Sequence, residues 1–553
     1  MRLSQLRVTE HRFKDDLLSA GLGLEGLRAA AAPALDDPNH PSAAALRRRA
    51  IYSSWRAIVD LSARGFGSAY GQAASVPGRE FSAFAWIAGA RHPHRVLAQI
   101  PDAFKREPRC LLVAPASGSR GIYGAIGLSG AWGLARGCAV VYTDKGAGTA
   151  IAGLADGSGV ALDGTRSCEP DLLEFTCSAS LPSHTIAMKH AHSQDNPEAS
   201  WGEHVLQAAR FGLRALDEAF PELAPFTPEN TAIIAVGLSN GGGAVLRAAE
   251  LAGAQMLRAV VAVAPNLSVR GTRPLYDYAS EAALLQPCAM LAVDGAIEVL
   301  PAALWRAAAE MRGNCLKAAG LLSASSTEAQ AQQALDRLLA GGWTHASLHA
   351  AHSNLAFDIW RSLLATYCSA YSRSSAEEPA CGYRFALLDS NQQAREASLE
   401  ERALWWCDSS GIAPTAGIAV LDPAPMLPDP RLPGLLRARE LWTGQNAAAE
   451  RLHTGVAEIL ATGKPRVKTL IVVHGSHDAL IPPNFSSAPY VQAVRSNNLP
   501  VSYWRIQNAQ HFDALLMAPP FASKMSALLP QAHLALDAAW ATLFDGKALP
   551  EDR

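Results

Sequence analysis

Three residues set far apart in the chain could together cut an ester: Ser239, Asp478 and His511. Ser239 stands in Gly237-Leu238-Ser239-Asn240-Gly241, after the apolar run Thr231 to Val236 and before the helical pattern opened by Gly242-Gly243-Ala244-Val245-Leu246. Strand, tight turn and helix in that order lift a serine hydroxyl clear of a sheet, and the turn is so sharp that side chains at 237 and 241 would collide. A serine hydroxyl is a weak nucleophile until a base takes its proton, and the base needs a carboxylate to hold its tautomer. The acid is expected at Asp478, in His474-Gly475-Ser476-His477-Asp478 after the apolar run Thr469 to Val473. The base is expected at His511, in Asn508-Ala509-Gln510-His511-Phe512-Asp513 after the run Val501 to Ile506. Consecutive strand ends bring the two together, and the chain order Ser, Asp, His suits acyl transfer through a covalent intermediate.

Other residues compete for these roles or assist them. His474 and His477 share the acid's own loop and would have to reach back across the turn, so loop hydrogen bonding is their expected part. Asp513 is read as a solvated or helix-capping acid. His184, His190 and His192 precede the nucleophile and are read as structural, with His192 kept as a candidate for the substrate pocket. The oxyanion formed on attack needs two amides. Asn240, opening the helix, offers one, and Ser119 in Ser117-Gly118-Ser119-Arg120-Gly121 is the candidate for the second. Arg120, Lys145 and Lys189 follow strand-like stretches and are candidates for holding a substrate carboxylate, against the blander role of salt-bridge partners. No group of histidines or cysteines has metal-ligand spacing and no dinucleotide or phosphate loop lies between strand and helix, so neither metal nor cofactor is expected.

The elements that must position these residues follow an α/β rhythm. Residues 1 to 40 read as an irregular leader, and Leu46, Ile51, Trp55, Ile58 and Leu61 then form an apolar helical face that Gly65 and Gly67 end. Strands are expected over 84 to 88, 95 to 100, 110 to 114 and 138 to 142, with a helix between the last two reaching Arg136. Residues 147 to 185, rich in Gly, Ser and Asp, read as surface loop. A helix over Val205 to Leu216, the nucleophile strand and helix, and a strand at Val260 to Ala264 come next. Strands alternating with helices argue a mostly parallel, doubly wound sheet of α/β-hydrolase type. From 266 to 465 the pattern turns mainly helical, with Leu335, Leu338, Leu339, Ile359, Leu363 and Leu364 at helical spacing, and reads as a cap inserted over the carboxyl ends of the strands. The expected organisation is therefore a leader and first part of the core over 1 to 265, the cap over 266 to 465, and the rest of the core over 466 to 553.

Bulk properties exclude several function classes. The 553 residues carry 48 Lys plus Arg against 50 Asp plus Glu, and the one basic cluster, Arg47-Arg48-Arg49, lies in a helical pattern as a solvated face, so no nucleic-acid partner is expected. No apolar run reaches the ~18 residues of a membrane span. The start lacks the apolar core and cleavage site of a secretory signal, which predicts a cytoplasmic protein; a periplasmic or secreted one would need a trimmed leader. The nine cysteines are scattered, and most are expected as small buried apolar residues, with the later ones free to pair if the protein is exported. Buried apolar surface on the cap would serve a substrate channel or a dimer interface equally well.

Several blocks together resemble the D-(-)-3-hydroxybutyrate oligomer hydrolases: Asp15 to Leu22, Ser117 to Gly127, Tyr142-Thr143-Asp144-Lys145-Gly146, Lys189-His190-Ala191-His192-Ser193-Gln194, Ser239 to Gly243 and Asn508 to Ala514. The resemblance covers most of the chain. It implies a serine esterase without cofactor, its serine at Ser239, that cleaves short linear esters of (R)-3-hydroxybutyrate to monomers downstream of polyhydroxybutyrate depolymerases. Relatives with Ser in place of Gly237 imply that the turn tolerates either small residue. Two rival readings stand beside it: a tannase-like or feruloyl-type esterase whose Trp405-Trp406 stacks an aromatic ring, and a silent hydrolase fold that only binds.

Overall fold

The apolar runs of the sequence form the middle of one ten-stranded sheet. The computed structural model describes residues 2–65, 75–118, 120–177, 180–299, 301–408 and 417–553. In chain order the strands of this sheet are β1 (Arg2–Leu3), β2 (Arg7–His11), β3 (Gly78–Trp86), β4 (His94–Pro101), β5 (Cys110–Pro115), β6 (Ala139–Thr143), β7 (Ala232–Leu238), β8 (Ala259–Val263), β9 (Thr469–Gly475) and β10 (Ser502–Ile506). They lie in the order β1-β3-β4-β6-β5-β7-β8-β9-β10, with β2 also paired to β3. From β6 to β10 every neighbouring pair is parallel, and β3 and β4 close the other side antiparallel. Parallel strands need both faces covered, and the residues show it. In β8, Ala259, Val261 and Val263 enter one core while Val260 and Ala262 enter the other.

The longer helices are α1 (Ala43–Ile58), α2 (Trp201–Ala219), α3 (Asn240–Glu250), α4 (Leu275–Ala289), α5 (Ala302–Ala318), α6 (Thr327–Ala340), α7 (Ile359–Tyr371), α8 (Leu432–Thr443), α9 (Ala447–Ala457), α10 (Ser487–Ser496) and α11 (Leu529–Phe544). Leu46, Ile51, Trp55 and Ile58 of α1 share a core with Ala532 and Leu536 of α11 on one face of the sheet. Helices α2, α3 and α10 cover the opposite face. Helices α4 to α9 all fall between β8 and β9 and supply most of a third core, which Ile151, Ile186, Met188, Phe485 and Leu516 also enter, and a three-stranded antiparallel sheet of Arg384–Leu388, Ala394–Arg395 and Ala419–Leu421 joins them. Tyr278 of α4 stacks on Phe485, ring centroids 4.7 Å apart, and fastens this insertion to the segment after β9.

Four expectations are corrected. The leader is not irregular: β1 and β2 pair antiparallel with β3, and Leu17, Leu18, Ala20 and Leu27 are buried. Its polar alternation, Arg7-Val8-Thr9-Glu10-His11, is that of an edge strand. Residues 147 to 185 are not a surface loop, because Ile151–Gly153 pairs with Ile186–Met188, Gly159–Val160 pairs with Arg166–Ser167, and Ala150, Ala152 and Phe175 form a small core. The helix expected up to Arg136 is one π turn, Ile126–Gly130, followed by single turns, and α1 ends at Ile58, ahead of its glycines. Of the later cysteines, whose pairing the sequence leaves open, Cys368 and Cys381 form a disulfide that ties the end of α7 to the segment before Arg384–Leu388.

Asp16 holds the N-terminal segment in place. Its buried carboxylate accepts from the amides of Leu18 (2.7 Å), Ser19 (2.8 Å) and Gly21 (2.9 Å). Replacing it by alanine strands these donors, so Asp16→Ala is expected to lower the unfolding free energy by about 2–3 kcal/mol, read as a lower urea midpoint at unchanged slope.

Candidate active site

The candidate nucleophile, acid and base each sit beyond the carboxyl end of a parallel strand. Ser239 follows β7 with φ 62° and ψ −125°, a conformation a non-glycine residue holds only under strain. Its amide donates to Val263 at the end of β8, and its carbonyl accepts from Asn266. The flanking glycines are needed, though not through mutual collision of their side chains. A Cβ at Gly237 would stand 2.2 Å from the Gly241 carbonyl oxygen, and one at Gly241 would stand 2.5 Å from that of Pro115. The tolerance expected for Ser in place of Gly237 is therefore not met on this backbone, which would have to open to admit it.

His511 and Asp478 reach Ser239 from the loops after β10 and β9. His511 Nε2 lies 2.8 Å from Ser239 Oγ, and its Nδ1 lies 2.6 Å from Asp478 Oδ2. The second oxygen of Asp478 accepts from the amides of Leu480 (2.9 Å) and Ile481 (2.7 Å). Burial alone would raise the pKa of this carboxyl, but the charge of His511 and hydrogen bonds from His474 and His511 hold it well below the ordinary carboxylate range. Such a line can move a proton from the serine to the imidazole while the carboxylate steadies the cation that forms. His474 stands behind it, with Nε2 3.2 Å from Asp478 Oδ2 and Nδ1 2.6 Å from Ser487 Oγ, so it positions the acid and does not reach the serine. His477 bonds Ser476 in its own loop. Asp513 accepts from the amides of Leu528 and Leu529 at the start of α11, the capping part expected of it.

Above Ser239 lies a cavity of about 80 Å³ between the sheet and the inserted helices. Ser117, Gly118 and Arg120 line it from the loop after β5, Asn266 from the end of β8, and Ile359, Leu363, Thr366 and Tyr367 from α7. Asn240 also lines it, and as the first residue of α3 its amide has no acceptor within the helix, which suits it to an oxyanion. Ser119 lies outside the described residues. Arg120 is buried and is among the residues that line the cavity.

Lys145 and His192 do not line it. Lys145 is buried in an ion pair with Glu198 and donates to the Asn240 side-chain carbonyl, so its charge is already spent inside the protein. His192 accepts from the Met188 amide and packs on Phe385, and burial pushes its pKa down to about 3. Lys189 is likewise held, by Glu174. Trp406 lines a different cavity, with Arg47 and Glu80, and Trp405 is buried under Arg166.

The comparisons with known proteins bear on this arrangement. A family model described as 3HB-oligomer hydrolase matches residues 4–553. A protein of Paracidovorax citrulli named D-(-)-3-hydroxybutyrate oligomer hydrolase is 37% identical over 97% of this chain and 86% of its own length. One of Cupriavidus metallidurans with the same name is 36% identical over 97% and 83%. The chain belongs to the 3HB-oligomer hydrolase family. Among solved structures, a rice cell wall degrading esterase of Xanthomonas oryzae aligns over 86% of this chain and 92% of its own at 12% identity and a TM-score of 0.38, too loosely to add to the fold described.

In this member of the 3HB-oligomer hydrolase family, the residue that sequence reasoning missed is Glu198. It accepts from Lys145, from the Asn240 side-chain amide (2.8 Å) and from His190 Nε2 (2.7 Å), and so ties the loop after β6 and the helical turn Lys189–His192 to the start of α3 beside the nucleophile. No motif flags a glutamate in a loop. The signal was indirect, in that Lys145 and His190 both stand in the blocks that carry the family resemblance. Burial alone would raise the Glu198 pKa, yet the Lys145 charge and the His190 hydrogen bond bring it down to about 2, against an ordinary 4.5.

Two outcomes follow for Glu198. Glu198→Ala is expected to cost about 3–5 kcal/mol of stability by denaturant unfolding, because it leaves Lys145 charged and buried. The folded pKa is depressed, so the stability that ionised Glu198 contributes is complete above about 4.5 and lost as pH falls towards about 2. A pH series should therefore show a shallower acid limb over that window in Glu198→Gln than in the unaltered protein.

Proposed function

We propose that this protein hydrolyses short (R)-3-hydroxybutyrate oligomers to 3-hydroxybutyrate through an acyl-enzyme on Ser239. The observation that carries the chemistry is the unbroken line of hydrogen bonds from Ser239 Oγ through His511 to Asp478, with Ser239 lining a partly apolar cavity. The substrate rests on family membership and on the printed names of the relatives.

In this reading Ser239 Oγ attacks the ester carbonyl and His511 takes its proton. Asp478 steadies the imidazolium, and the Asn240 amide with the positive end of α3 stabilises the oxyanion. The ester C–O bond breaks as His511 returns the proton to the departing alcohol. Water then repeats the sequence on the acyl-enzyme, and no cofactor takes part. The ring-stacking role for Trp405 and Trp406 finds no support at the cavity, which neither residue lines.

The test is release of 3-hydroxybutyrate from the (R)-dimer and trimer at neutral pH, with Ser239→Ala and His511→Ala beside the unaltered protein. Both variants should keep a cooperative unfolding transition and lose at least about a thousandfold in turnover. A folded protein that left both oligomers intact would overturn the substrate, and an organophosphonate adduct on Ser239 would then separate another ester from no catalysis.

A further inference from the structure

Two buried polar atoms at the wall of the Ser239 cavity are left without partners by the fold. His190 and Tyr367 both line it, 2% and 8% exposed. His190 Nε2 donates to Glu198 Oε1 (2.7 Å), and Glu198 is ionised, since it also takes the charge of Lys145 and the Asn240 side-chain amide. Burial and the Lys145 charge lower the His190 pKa, so its ring is neutral at neutral pH. A neutral imidazole with its proton on Nε2 has a lone pair on Nδ1, and no group among the described residues bonds that atom. The Tyr367 hydroxyl, which burial keeps protonated, is likewise unbonded among the described residues. Neither atom is sealed in, unlike the hydroxyl of nearby Tyr371. The two rings meet edge to face, centroids 5.0 Å apart, and so offer one acceptor and one donor side by side. Glu198 bonds His190 and Asn240 alike, which holds this pair at a set place relative to the nucleophile.

A hydroxyl is the group that satisfies both, because it donates one hydrogen bond and accepts another. A linear 3-hydroxyacyl oligomer has one free hydroxyl, two carbons beyond the carbonyl of its first unit; in every later unit that oxygen is esterified and has no proton to give. Resting on the serine-esterase reading above, we propose that His190 Nδ1 and the Tyr367 hydroxyl bind this free hydroxyl, so that the acyl group passed to Ser239 is the single hydroxyl-terminal unit. Ligand sites for larger molecules run to roughly 300–1,000 Å³, and the cavity, at about 80 Å³, suits one short acyl unit. The Ser239 Oγ–acyl bond forms, the ester C–O bond breaks, and the proton taken by His511 passes to the oxygen of the departing, shortened oligomer. Water then frees the terminal unit from Ser239 as a hydroxyacid monomer. The protein thus shortens its substrate by one unit per cycle from the hydroxyl end, and an acyl group without the hydroxyl leaves His190 and Tyr367 buried and unpaired.

The experiment compares the (R)-dimer with (R)-3-butyryloxybutyrate, which has the same ester and leaving group but no hydroxyl on its acyl unit. In the unaltered protein kcat/KM should be at least about thirtyfold higher for the dimer, since the analogue strands two buried polar groups. Tyr367→Phe removes a hydroxyl that holds nothing in the fold and should shrink this preference at least about fivefold, and His190→Phe should shrink it as much. A second measurement needs no variant: from a trimer isotopically labelled in its hydroxyl-terminal unit, the label should appear first in monomer and not in dimer. Equal cleavage of dimer and analogue, an undiminished preference in Tyr367→Phe, or labelled dimer as the first product would overturn the hydroxyl subsite and leave the esterase reading intact. Failure to cleave either ester would overturn the esterase reading and this proposal with it.

Discussion

The structure depends on one strained residue. Ser239 at φ 62° and ψ −125° holds a conformation that costs about 1–3 kcal/mol and persists only where its surroundings leave no alternative. Here they do not: its amide is bonded to the end of β8, its carbonyl to Asn266 just beyond, and the backbone of the β5 end presses on Gly241. The parallel sheet supplies the force for this, since three neighbouring strands end at one edge and their exits crowd the same point. The strain thereby fixes where the hydroxyl points, and every other part of the site is placed relative to it.

Around that point the protein spends buried charge in a closed circuit. Asp478 is matched by His511, His474 and two amides, and Glu198 by Lys145, Asn240 and His190. Neither carboxylate faces water, so each must be fully satisfied or the fold would lose more than the interaction is worth. The cavity wall differs: among the described residues that line it none is a carboxylate, and Leu275, Ile359, Leu363, Leu480, Ile481 and Phe512 make much of it apolar.

Much of this was legible in the sequence. Ser239, Asp478 and His511 could be read because each follows an apolar strand and because chain order limits which strand ends meet. The elbow was readable from glycines that only backbone crowding requires. The inserted helices could be read from the spacing of Leu335 with Leu338 and of Ile359 with Leu363. What failed was what local pattern does not encode. The edge strands β1 and β2 are too polar to look like strands, and the small antiparallel pairs of residues 151 to 188 are too short to show a period. Lys145 and Arg120 look alike in sequence, each a cation after a strand. Only the placement of Glu198, more than fifty positions beyond Lys145, decides that one is a strut and the other faces the cavity.

The insertion lies between the nucleophile and its base, and this has a consequence for the order in which the chain becomes active. Ser239 and His511 are 272 positions apart, with helices α4 to α9 between them. At a synthesis rate of about 5–20 residues per second, the elbow serine exists for roughly 15–50 s before its imidazole has been made. Throughout that time the hydroxyl is inert, and it stays so until β9 and β10 have joined the sheet. A nascent or truncated chain is therefore chemically silent, and onset of ester cleavage reports the docking of the last two strands.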